Sequence, residues 1–113
     1  MRDDEGGATV FACFALAGLV AVTAILLHLG GAVAARHRAQ SAADLGALAA
    51  AQALADGEPA CPVAMSVVSR MRAQVSGCVV DGWDVQVSTE VTPGGVPFGS
   101  GPARAVARAG PAE

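Results

Sequence analysis

The chain has 113 residues, of which 53% are hydrophobic and only 15% charged, with mean hydropathy +0.49 and a formal net charge of −3. That bounds it to one small domain, too apolar to be disordered and unusually apolar for a soluble domain, so a membrane association is expected. Its basic residues are seven scattered arginines with no lysine and no basic stripe, which argues against a nucleic-acid partner.

Residues 1–7, MRDDEGG, read as a polar leader. From Ala8 to Ala35 no residue carries a permanent charge. A helix of about 28 residues is roughly 42 Å long, against a hydrocarbon core of about 30 Å, so residues 8–35 are expected to span a membrane with length to spare. The run is too long for a secretory signal, whose apolar region has about 7–15 residues. The small-x-small triplet Ala32-Val33-Ala34 keeps a second reading open, a secreted product cut after Ala34. Small residues recur four apart at Ala8 and Ala12, and at Ala17 and Ala21 beside Gly18. That spacing lets helices approach closely in lipid, although alanine is abundant throughout. His28 is expected near the interface, and Cys13 reads as a small buried hydrophobe.

Helical character continues past the apolar run. RHRAQSAADLGALAAAQALAD contains no proline and, apart from Gly46, is rich in strong helix formers. One continuous helix is expected from about residue 8 to 56, with Gly57-Glu58-Pro59 as its stop. Gln40 and Asp44 lie one turn apart, as do Leu45 and Leu48 on a neighbouring face.

A shorter helix is expected from about Pro62 to Ser76. Ala64, Val67, Val68, Met71 and Val75 share one apolar face, Pro62 suits the first turn and Gly77 a C-terminal cap. Cys61 and Cys78 bracket this helix. Two cysteines outside the apolar run point to one disulfide in an oxidising compartment, the competing reading being two unrelated buried thiols. A bridge sets a geometric condition, because 15 residues of ideal helix cover about 22 Å. Bridged Cα atoms lie within about 7 Å. The chain must double back, with Cys61 in a loop or Cys78 on a strand returning along the helix.

From Cys78 the period changes to two. Trp83, Val85, Val87, Thr89 and Val91 alternate with polar residues as on a half-buried antiparallel strand, and Asp81-Gly82 marks a tight turn before it. Trp83 is expected to anchor the core between helix and sheet. Residues 92–102 are a loop by composition, with Phe98 as a loop plug. ARAVARA, residues 103–109, alternates again as a last strand whose register is weakly specified by its alanines. The fold class is therefore α+β: a long N-terminal transmembrane helix running on outside the membrane, a second short helix and a small antiparallel sheet.

The residues of known catalytic and ligand-binding patterns are missing. The two histidines, His28 and His37, have no acid and nucleophile arranged with them, and there is no CxxC, HExxH or phosphate-binding loop. No enzyme activity, cofactor, metal or small-molecule substrate is expected.

Together the leader ending in glycine, the apolar helix running into an alanine-rich helix and the small α/β tail resemble a pilin-like protein. GGATV at the start of the span, ARHRAQSAADLGALAAAQAL at its end, Cys61 and Cys78, VDGWDVQV and ARAVARAGP look like the actinobacterial TadE/TadG-like family of the tight-adherence (Flp, type IVb) pilus. The resemblance covers almost the whole chain, and RHRAQSAADLGALAAA is its most specific part. It implies a minor pilin or pilus-assembly component, with membrane lipid, other pilin-like subunits and assembly proteins as partners. It also implies a leader peptidase cutting between Gly6 and Gly7 or between Gly7 and Ala8. Many pilins carry a glutamate at the fifth mature position, where this chain has Phe11 or Ala12, a departure that fits an accessory never polymerised in bulk.

Orientation is contested within the sequence. Arg36 and Arg38 against Arg2 favour a cytoplasmic C-terminal side, whereas a disulfide requires that side to be oxidising. The pilin resemblance implies an N-terminus in the cytoplasm and residues 36–113 as an extracytoplasmic domain. The alternative is a plain single-pass membrane protein acting as a partner in a cell-envelope complex.

Overall fold

No proline and no strong breaker interrupts the first half of the chain, and its helix α1 runs without a break over Arg2–Ala55. The computed structural model describes residues 2–92 and 101–111, with side chains from Gly6 onward; the loop plug Phe98 lies outside them. The helix starts in the leader rather than at residue 8. Two compact units divide the chain, residues 1–31 and residues 32–113.

In the first unit every side chain from Gly6 to Gly31 is exposed, including Phe11, Phe14, Leu19 and Leu27. A helix apolar on all faces and covered by nothing among the described residues requires apolar surroundings. This is a helix long and apolar enough to cross a membrane.

The second unit is a helical layer on a three-stranded sheet. Its sheet is antiparallel in the order β1 (Gln74–Asp81), β2 (Asp84–Val91) and β3 (Ala103–Ala109). The alternation expected over residues 85–91 is present: Val85, Val87, Thr89 and Val91 are buried against the helices. The register that alanine left open is Val85 opposite Ala109 through Val91 opposite Ala103. On α1 the buried face comprises Ala35, Ala39, Ala42, Ala43, Ala47, Ala50 and Ala53. Thr89 donates its hydroxyl to the Ala39 carbonyl at 2.6 Å, satisfying a fully buried polar group. Gln40 and Asp44 are joined on the solvent side at 3.0 Å.

Gly46, which interrupts the run of strong helix formers, lies where the layers meet. A Cβ there would lie 2.7 Å from Val68 Cγ2 and 3.6 Å from Val87 Cγ1. Helix α1 can approach the second helix and β2 only because this side chain is absent.

The second helix, α2, spans Ala60–Arg70 and ends six residues earlier than its apolar spacing indicates. Pro62 does fall in its first turn. Arg72, not Gly77, closes it: at φ 59° it takes the left-handed position of a Schellman motif. Its N–H bonds Ser69 O at 3.1 Å, and that of Ala73 bonds Val68 O at 3.3 Å. Helix α1 ends the same way, with Gly57 at φ 80°, its N–H on Leu54 O at 3.2 Å and that of Glu58 on Ala53 O at 2.8 Å. Val75 was in phase with the α2 face because it does point at the core, but from β1.

Trp83 is not a core anchor. It is 64% exposed, because Gly82 and Trp83 are the two turn residues between paired Asp81 and Asp84. With Gly82 at φ 61° the hairpin has the positive first position of a II′ turn. Trp83 continues the phase of Val85 and Val87 but lies beyond the end of the ladder.

Three substitutions test these local arguments by denaturant unfolding of the full-length protein in detergent, followed by Trp83 fluorescence. Gly46→Ala should destabilise the second unit by about 1–2 kcal/mol, overpacking exceeding the helix-propensity gain of about 1 kcal/mol. Gly30→Ala, which lies in the first unit with a Cβ that meets nothing within 4 Å, should leave the midpoint of the second unit unchanged. Arg72→Gly should raise stability by about 0.5–1 kcal/mol by relieving a left-handed non-glycine residue; an unchanged midpoint would mean that the αL cap carries no penalty.

Candidate functional site: an apolar helix and a disulfide-stapled domain

The residues singled out in the sequence fall into two separate places. Gly6, Gly7 and Ala8, the expected cleavage region, lie on α1 and are exposed, with nothing within 4 Å of a Cβ at either glycine. Two adjacent glycines weaken a helix by about 1 kcal/mol each relative to alanine, so this is an easily opened turn.

Cys61 and Cys78 form a disulfide, with Cα atoms 5.9 Å apart and a sequence separation of 17. Cys61 lies in the first turn of α2 and Cys78 on β1, which returns along that helix, so the geometric condition on the bridge is met. The return alone is insufficient, because Cys78 must also face the helix. Val75 pairs with Thr89 and Gly77 with Ser88, leaving Ser76 as an extra residue in a β-bulge. Residues three apart in a regular strand point to opposite faces. The bulge resets the alternation, so that Val75 and Cys78 both pack against the core. Nothing in the period-two pattern of the sequence marks Ser76 for this role.

The outer face of the sheet is mainly polar, interrupted by exposed Val79 and Val106. Arg104 Nε donates to Glu90 Oε1 at 2.8 Å. At the other end of β3, Arg108 donates to Asp84 Oδ2 from Nη2 at 2.8 Å and from Nε at 3.2 Å, and to Asp81 Oδ2 at 3.4 Å. The hydrogen bond to Asp84, then the charges of Asp84 and Asp81, hold the Arg108 guanidinium above its usual pKa. Asp81 and Asp84 face each other across the hairpin, a like-charge pairing that destabilises a sheet, and Arg108 offsets it. These pairs are exposed and set local geometry rather than stability.

Beside the hairpin turn lies an open, mainly apolar groove of about 440 Å³, lined by Leu48, Ala51, Gln52 and Ala55 of α1 together with Trp83 and Pro111. Leu48 is 60% exposed there. Among the described residues no three His, Cys, Asp or Glu side chains gather where they could hold a metal ion.

Removing the bridge with Cys61→Ala/Cys78→Ala should lower the stability of the second unit by about 3 kcal/mol. A reductant should bring the native protein down to the midpoint of that variant and leave the variant itself unchanged.

No curated protein and no solved structure matches the chain. Residues 6–53 match the family model described as "Tad: Putative Flp pilus-assembly TadE/G-like". The match ends within α1 and does not extend over the second helix and sheet, so it is narrower than the whole-chain resemblance read from the sequence. An N-terminal helix apolar enough to span a membrane, carrying this family's pattern from Gly6 to Ala53, fits a membrane-anchored pilus-assembly component.

Proposed function

We propose that the chain is a minor-pilin-like structural or assembly subunit of a Tad/Flp-type pilus or related secretion apparatus, held in the membrane by residues 8–35 and without enzymatic activity. The observation that carries this reading is the family match over residues 6–53, which takes in both the lipid-suited stretch of α1 and the alanine face that seats the domain. Other pilin-like subunits and assembly proteins are the partners in this reading. The Cys61–Cys78 bridge supports an extracytoplasmic C-terminal unit, since disulfides persist on the oxidising side of a membrane, and the N-terminus is then cytoplasmic.

In this reading a prepilin-type peptidase cuts beside Gly6 or Gly7. The new fifth residue is Phe11 or Ala12, neither of which can form the buried charge pair that a glutamate offers to a neighbour's N-terminal amine. This absence favours an accessory subunit over a bulk filament component. It also gives the second reading its weight, a plain single-pass protein that serves as a partner in an envelope complex.

Intact mass of the membrane-extracted protein from its native host separates these readings. Loss of the first six or seven residues is expected, with a gain of about 2 Da on reduction as two thiols replace one disulfide. A full-length mass would sink the processed-pilin mechanism and leave the single-pass protein; a chain beginning at Ala35 would mean export and release. Absence of the bridge in protein alkylated before extraction would overturn the orientation.

A further inference from the structure

We propose that Arg36, His37 and Arg38 form a basic collar that binds the anionic headgroups of phospholipids where α1 leaves the bilayer. This rests on the reading of residues 8–35 as a membrane span. Successive helical residues are about 100° apart and rise about 1.5 Å each, so three in a row surround much of the helix within roughly 3 Å along its axis. Had these groups been spaced three or four residues apart, they would form a stripe, the arrangement that suits a partner protein lying along one face. A ring at one level suits a plane that the helix crosses.

The neighbouring residues sharpen the point. Ala35 and Ala39, on either side of the triplet, are buried against the sheet, whereas Arg36, His37 and Arg38 are all exposed. None of the three has an ion pair or side-chain hydrogen bond among the described residues. Arg104 and Arg108 on the sheet are both paired with carboxylates. Between Glu5 and Asp44 the sequence has no acidic residue, and Asp44 already accepts a hydrogen bond from Gln40. The charge of Arg36 and Arg38 therefore lacks local compensation at the end of an uncharged run. Arg70 and Arg72, also without an ion pair among the described residues, lie at the end of α2 and just beyond it and adjoin no such run. Arginine forks bind phosphate oxygens in two-point contacts, and the imidazole N–H of His37 adds a third donor to the ring.

The test uses the full-length protein in nanodiscs of equal phosphatidylglycerol and phosphatidylcholine, with lipids retained after gentle release identified by native mass spectrometry. Wild-type protein should retain phosphatidylglycerol in clear preference. Arg36→Gln/Arg38→Gln should reduce that preference roughly 25-fold, about five-fold for each arginine at an anionic surface. Arg70→Gln/Arg72→Gln should leave it intact. Equal retention of both lipids by the wild type, or an unchanged preference in the Arg36/Arg38 variant, would overturn the collar. Displacement of the lipid by inorganic phosphate would overturn it too, by making the ring a site for free phosphate rather than for a lipid surface. Failure of the wild type to enter nanodiscs at all, with release from native membranes by alkaline carbonate, would instead remove the membrane-span reading on which the collar depends.

Discussion

Close approach between layers made of very small side chains is the constraint on which the second unit depends. Every buried apolar side chain among the described residues is alanine or valine. Such residues have short reach, and a core built from them stays free of voids only if backbones come near one another. The helix-facing side of β3 is alanine at positions 103, 105, 107 and 109, the buried face of α1 is alanine, and Gly46 removes even the Cβ where α1 meets Val68 and Val87. Thr89 can reach the Ala39 carbonyl across the interface because the separation is small. The hydrogen bond and the packing therefore have one geometric cause.

A core of this kind buries little area per residue, and a unit of this size has little to spare. Its stability then rests on restraints besides burial. The disulfide joins the start of α2 to β1, and Schellman motifs satisfy the last carbonyls of both helices. Arg108 partly offsets the two aspartates that face each other beside the hairpin turn, which sets local geometry rather than stability. The two units use their hydrophobic residues in opposite ways. Phe11, Phe14, Leu19 and Leu27 are displayed on the surface of α1, while alanine and valine are kept inside the domain. Large side chains are where lipid can solvate them, and small ones are where protein must interlock. The high hydrophobic content of the sequence therefore does not signal a large core.

The parts legible in the sequence were those governed by period. Alternation at Val85, Val87, Thr89 and Val91 specified the inner face of β2, and Gly57 before Pro59 specified the end of α1, since each pattern has one cheap structural solution. The misread parts were those in which two solutions share a pattern. Val75 fits the apolar face of a helix extended from α2 and equally the inner face of β1. The choice was made by a left-handed arginine at position 72, a conformation that residue type does not advertise. Trp83 is in phase with the core but falls in the turn, where phase no longer implies burial. Gly46, the exception among strong helix formers, is a contact, which only the partner residues Val68 and Val87 reveal. The Ser76 bulge is invisible for the same reason: a bulge is a relation between two strands.

The same distinction bears on the conflict between arginine count and disulfide. The positive-inside tendency treats Arg36 and Arg38 as a vote on which side of the membrane residues 36–113 occupy. That tendency acts during insertion and is a bias, whereas a disulfide is a covalent state that a reducing cytoplasm does not maintain. Binding of an anionic headgroup needs that lipid at the right depth in whichever leaflet the helix leaves. Arginines held at the exit of a helix by an anionic lipid are compatible with either orientation wherever that leaflet contains such a lipid. The Cys61–Cys78 bridge is the feature on which the proposed orientation rests. The helix is also longer than a bilayer core, so apolar length alone does not fix its depth. A collar at its exit would fix it, and with it the level at which the alanine face of α1 and the sheet packed on it begin.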